Sequence, residues 1–138
     1  MAGPLSAEEV ARVAEFRAAL RRFLRTAERN ARAAGLTPQR YLLLLMIKGA
    51  ADHSEQSTVT ELSERLQLAQ STVTELVRRA EETGLVERQR SDLDGRIAHL
   101  RLTAEGERRL AQSFTSNESE RRALLQAFEH LEGRILTA

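Results

Sequence analysis

One stretch limits the fold more than any other. Within a chain that otherwise reads as helix, residues 85–103 run LVERQR, SDLDG, RIAHLRLT, a single strand-turn-strand. A two-residue Asp94-Gly95 turn is the first expectation for such a pattern. That turn pairs Leu100 with Gln89 and Leu102 with Glu87, placing apolar side chains on a polar face, whereas a slip of one residue pairs Leu102 with Val86. The hairpin is therefore expected in the slipped register, with a longer, projecting tip centred near Asp94.

The helices around it follow from period and caps. Ser6 with Glu9 opens a capping box, and apolar residues recur at Val13, Phe16, Leu20, Phe23, Leu24, Ala27, Ala31 and Ala34 before Gly35, which predicts a long amphipathic helix. Part of its stripe is expected to meet either another chain or the C-terminal helix. Thr37 and Pro38 restart the helix, and LLLLMI makes it central. After the polar loop AADHSEQ, a brief edge strand is expected over Ser57 to Val59, then a short helix ELSERL capped by Thr60. Gln70 or Ser71 starts a helix with Val73, Leu76, Val77 and Ala80 inward and Gly84 at its close. Beyond the hairpin, Thr103 caps AEGERRLAQSF, TSNESE reads as a polar break, and a last helix carries Leu124, Leu125, Phe128, Leu131 and Ile135.

Helix, tight connection, second helix and long-tipped hairpin make a winged helix-turn-helix, in a mainly α fold with one small β-hairpin. The run LQLAQSTVTELVRRAEETGLVERQRSDLDGRIAHLRLTAEG, Leu66 to Gly106, resembles the signature of the MarR family, the multiple antibiotic resistance regulators. It carries the family's GLV and arginine after the recognition helix, the D-x-R of the wing as Asp94 and Arg96, and the LT and glycine that follow. LTPQRYLLLLMI is similar to the family's second helix. Two positions depart from the pattern: Ala80 stands where the family often has Leu, and Gly95 replaces a second basic residue beside the wing arginine. The resemblance implies one domain of 138 residues, with a DNA-binding lobe over 37–103 and dimerisation helices over 1–36 and 104–138. It also implies a homodimeric, ligand-responsive transcriptional regulator, a repressor, on a pseudo-palindromic operator.

Residue chemistry can be weighed beside that. Gln70, Ser71, Thr72 and Thr74 are short polar groups suited to base edges or phosphate oxygens, and Arg78 is the cation best placed to reach guanine or phosphate. Glu75 is repelled by phosphate unless it accepts from cytosine or pairs with Arg78 or Arg79. In the wing, Arg88, Arg90 and Arg96 are expected to cluster against Asp92 and Asp94. Arg96 suits a narrow minor groove, and Asp94 suits the task of aiming it. The resemblance also implies a small effector between the dimer helices and the DNA-binding lobe, with Phe16, Tyr41 and Leu45 as candidate lining groups by placement; plain core is the competing reading for Phe16 and Leu45.

Composition narrows the function further. There is no cysteine, which removes disulfides and thiol sensing, and His53, His99 and His130 are too scattered for a metal site and are expected to face solvent. No cofactor is called for, and there is no catalytic triad, phosphate-cradling glycine loop or carboxylate pair on an apolar surface, so the chain does not read as an enzyme. The longest apolar run, Tyr41 to Ile47, is far too short for a bilayer, and the first ten residues lack a signal-peptide pattern, so a cytoplasmic protein is expected. Formal net charge is only +1. From Ser57 to Thr103 seven arginines face eight acids, which keeps a second reading open: a winged-helix protein-interaction module without specific DNA binding.

Overall fold

The computed structural model describes residues 3–90 and 95–131. In chain order they form α1 (Ala7–Ala33), α2 (Pro38–Lys48), α3 (Val59–Leu66), α4 (Gln70–Glu82), β1 (Val86–Arg90), β2 (Ala98–Leu102), α5 (Ala104–Ser116) and α6 (Glu118–Leu131). The chain divides into two compact units. One is Ala31–Ser113; the other takes the residues up to Asn30 and those from Phe114 onward.

The central unit is built around α2. Thr37 caps it by accepting from the Arg40 N–H, Pro38 sits in the first turn, and Tyr41, Leu43, Leu44 and Ile47 are buried. Leu62 from α3, Val73, Val77 and Ala80 from α4, and Leu85, Val86, Leu100 and Leu102 from the hairpin complete the same core. β1 and β2 are antiparallel with Val86 opposite Leu102 and Arg90 opposite Ala98, the slipped register that the apolar pattern demands. Residues 91–97 therefore separate the strands, too many for a two-residue turn.

Gly84, at φ +74°, takes the left-handed conformation that lets the chain leave α4 and enter β1. The Thr103 hydroxyl donates to Gly84 O at 2.6 Å and accepts from the Gly106 N–H at 3.1 Å, so a single side chain caps α5 and pins it to the turn after α4. Position 106 must be glycine here, because a Cβ would stand 2.1 Å from Leu85 O.

In the other unit the core is thin. Ala19, Ala27 and Ala127 are buried, and Phe16 meets Phe128 edge to face with ring centroids 6.1 Å apart. Asn117, fully buried between α5 and α6, accepts from Asn30 Nδ2 at 2.7 Å. Large apolar groups stay in the open: Leu125 is 57% exposed, Leu24 51%, Val13 50% and Phe128 46%.

Four sequence expectations are corrected. The cap of α3 is Thr58, not Thr60: Thr58 Oγ1 accepts from the Glu61 N–H and Glu61 accepts from the Thr58 N–H, a complete capping box that starts the helix at Val59. Ser57 to Val59 is not a strand, because helix formation at Val59 leaves only Ser57 to bridge Leu100. TSNESE is not a loop. α5 continues through Ser116 and α6 begins at Glu118, with only Asn117 between them, its polarity satisfied inside rather than in water. His99 is half-buried on β2 rather than solvent-facing, while His53 and His130 are exposed.

Candidate nucleic-acid interface

α4 is fixed on one side and free on the other. Val73, Val77 and Ala80, at i, i+4 and i+7, have no exposed surface and seat the helix in the core. The opposite arc presents Gln70, Ser71, Thr72, Thr74 and Arg78 to solvent. The turn before it is held by local bonds. Gln67 adopts φ 56°, Ser63 Oγ donates to Leu68 O at 2.6 Å, and Gln70 Nε2 donates to Thr60 Oγ1 at 3.4 Å. This helix is anchored along its length rather than hung from one end, as a helix that enters a groove needs to be.

Its charges are tied together. Arg78 Nε and Nη2 donate to the two Glu75 oxygens at 2.9 and 2.6 Å, a bidentate fork, and Arg79 Nε donates to Glu75 Oε1 at 3.0 Å. Arg78 also bonds Glu82 through Nη1. These donors, Arg78 first and then Arg79, lower the Glu75 carboxyl to a pKa of about 2, and the same pairing raises Arg78. The sequence alternative in which Glu75 pairs with its neighbouring arginines is the one the geometry adopts.

On the wing side, Arg88 Nε donates to Glu81 Oε1 at 2.9 Å, which ties β1 to α4. Glu81, as the group that holds Arg88, escaped the sequence reading because the two approach each other only once the hairpin folds back. Arg101 is likewise paired, with Glu87 at 3.2 Å across the strands. Arg96 and Gly95 are exposed on the β2 side of the turn, and Arg90 closes β1 opposite Ala98. Asp92 and Asp94 lie outside the described residues, so their expected role in aiming Arg96 falls there too.

The three candidate effector residues fall in both units. Tyr41 is buried in the central core and Leu45 packs against that core half-buried, while Phe16 belongs to the α1–α6 unit, against Phe128. Among the described residues no cluster of histidine and carboxylate side chains is placed to hold a metal. No helix among them is long and apolar enough to cross a membrane.

Comparison with known proteins agrees with this geometry. Residues 34–97 match the sequence profile of the MarR family. The chain is 31% identical over 93 residues to the uncharacterized HTH-type transcriptional regulator YsmB of Bacillus subtilis, a match covering 67% of this chain. It spans 61% of that curated relative's length. Among solved structures, a mutant MarR from E. coli in complex with operator DNA is similar with a TM-score of 0.66 at 20% identity, covering 87% of this chain and 89% of that one. Wild-type MarR from E. coli, in its apo form, gives a TM-score of 0.70 at 18% identity over 98% of this chain and 99% of its own. At those identities the structures speak for the fold, a winged helix with a two-stranded antiparallel hairpin. Profile, curated relative and fold coincide, and the chain belongs to the MarR family.

Proposed function

We propose that this protein is a DNA-binding transcriptional repressor that acts in the cytoplasm as a homodimer on a pseudo-palindromic operator and responds to a small effector. The observation that carries the reading is α4, whose buried face is locked into the core while its polar face of Ser71, Thr72 and Thr74 stands free beside the hairpin. Hydroxyls of that length reach phosphate oxygens and base edges, and Arg96 on the wing suits the narrow minor groove. Half-exposed Val13, Leu125 and Phe128 support α1 and α6 as the dimer surface. An effector that contacts Phe16, Tyr41 or Leu45 acts by favouring one arrangement of the dimer over another.

A second reading, the protein-interaction module, draws support from the pairing of Arg78, Arg79, Arg88 and Arg101 with acids of the same lobe. Selection of duplexes by the purified protein separates the two: one enriched palindrome supports the regulator, and no enrichment at low salt supports the module. On the enriched duplex, Arg96→Ala is expected to weaken binding and to flatten the salt dependence by about one unit of log–log slope. Unchanged affinity at fixed salt removes the wing from the interface.

A further inference from the structure

The lobe that holds the reading helix is a poor source of attraction for a polyanion. Seven arginines meet eight acids between Ser57 and Thr103. Duplex recognition draws much of its affinity from neutralising phosphates, a contribution independent of sequence. If this lobe reads DNA, positive charge elsewhere in the chain adds to its hold on the phosphates.

Such charge stands on α1. From Phe16 to Ala33 that helix carries six arginines, at 17, 21, 22, 25, 29 and 32, against one acid, Glu28. At 3.6 residues per turn all six fall within about 140° of arc, opposite the stripe of Phe16, Ala19, Phe23 and Ala27. All six are exposed. Arg29 donates to Thr26 Oγ1 at 3.2 Å, and among the described residues none of the six makes an ion pair. Arg17, Arg21, Arg22 and Arg25 lie with Leu20, Leu24 and Glu28 along one open side of α1, to which the lining residues all belong.

Concentrated positive charge without internal compensation costs stability through self-repulsion and is relieved by an anionic surface. Arg17 to Arg29 spans about 18 Å of helix, enough to follow a run of phosphates on one strand. Guanidinium groups suit that surface, because their planar forks match phosphate oxygens.

Resting on the DNA-binding reading above, we infer that the arginine face of α1 is a second DNA-contacting surface, which grips the phosphate backbone without reading sequence. Affinity and specificity are then divided within the protein: α1 supplies the electrostatic hold, and α4 with the wing supplies the choice of site.

The test compares Arg17→Gln/Arg21→Gln/Arg25→Gln with Arg17→Lys/Arg21→Lys/Arg25→Lys. Both are titrated against the selected operator and a random duplex of equal length over a range of salt concentrations. The glutamine variant is expected to flatten the log–log salt slope by about 0.9 for each lost contact on both duplexes. The ratio of operator to random affinity stays as in wild type, and the lysine variant keeps the wild-type slope. An unchanged slope in the glutamine variant overturns the inference and leaves the face to an acidic protein partner. A loss confined to the operator, or shared by the lysine variant, also overturns it, because phosphate attraction depends on charge and not on sequence. Melting and sedimentation of each variant check the fold; if the triple change disturbs either, Arg21→Gln alone is read, with an expected slope change of about 0.9. Wild-type protein that enriches no duplex defeats the DNA-binding reading itself, which is a different result from an unchanged slope on a duplex that binds.

Discussion

Arg78 on α4 and Arg21 on α1 are both exposed arginines on amphipathic helices, yet their surroundings differ. Arg78 is gripped by Glu75 and Glu82 of its own helix, while Arg21 makes no ion pair among the described residues. The same contrast runs through the two units that contain them. The Ala31–Ser113 unit closes a core of leucine, valine and isoleucine and pairs most of its arginines. The unit of α1 and α6 buries mainly alanines, leaves Val13, Leu24, Leu125 and Phe128 half exposed, and leaves a basic face uncompensated. A region that satisfies its own groups sets a geometry; a region whose described residues do not leaves surface on which a partner could act.

The contrast is broken most directly at the core. Leu43 has no exposed surface, so Leu43→Ala is expected to cost about 2–5 kcal/mol of unfolding free energy in a urea titration. A loss below about 1 kcal/mol means that this unit is not the closed body described here.

Much of this architecture is legible in the sequence because it is local. Thr37-Pro38, Gly84 and Thr103 announce their roles by identity and position, and the hairpin register follows from which residues are apolar. The misplaced cap of α3 shows the limit of such reading. Thr58 and Thr60 are both acceptable caps, and only the reciprocal bond with Glu61 decides between them. Pairings over distance stay hidden. Asn117 looks like part of a polar break until Asn30, 87 residues away, supplies its partner. At the candidate site the residue types of α4 were readable and the state of its charges was not, since i,i+3 and i,i+4 pairs tell which side chains are neighbours and not which compete. The bare arginines of α1 were written in the spacing 17, 21, 25, 29, but an uncompensated charge becomes evident only when the partners of all the others are known.

A smaller effect sharpens the contrast from the other unit. If Leu125 packs in a symmetric dimer, Leu125→Ala removes about 1 kcal/mol of apolar contact per copy and about twice that per dimer. Self-association measured by sedimentation equilibrium should weaken roughly thirtyfold. The urea midpoint extrapolated to low protein concentration should hardly move, in contrast with Leu43→Ala. An unchanged association constant removes this end of α6 from the dimer surface.

The smallest expected effect lies in the charge network of α4. Glu75 titrates at about 2 in the folded protein against an ordinary value of 4.5, because Arg78 and Arg79 hold its charged form. A depressed carboxyl contributes stability that is fully present above about pH 4.5 and disappears as pH falls toward about 2. Glu75→Gln lacks that contribution at every pH. The melting temperatures of wild type and variant should therefore differ slightly near neutrality and converge in acid, with the gap reduced by added salt because the pairs are exposed. Arg21→Gln should show no such convergence, having no carboxylate partner among the described residues to protonate. A gap for Glu75→Gln that persists into acid identifies packing, not charge, as what Glu75 contributes. Near-neutral convergence identifies a pair that solvent has already screened. Either result changes how firmly Arg78 and Arg79 are held when α4 meets its partner, because arginines no longer engaged by Glu75 are available to phosphate and add to binding that does not discriminate sequence.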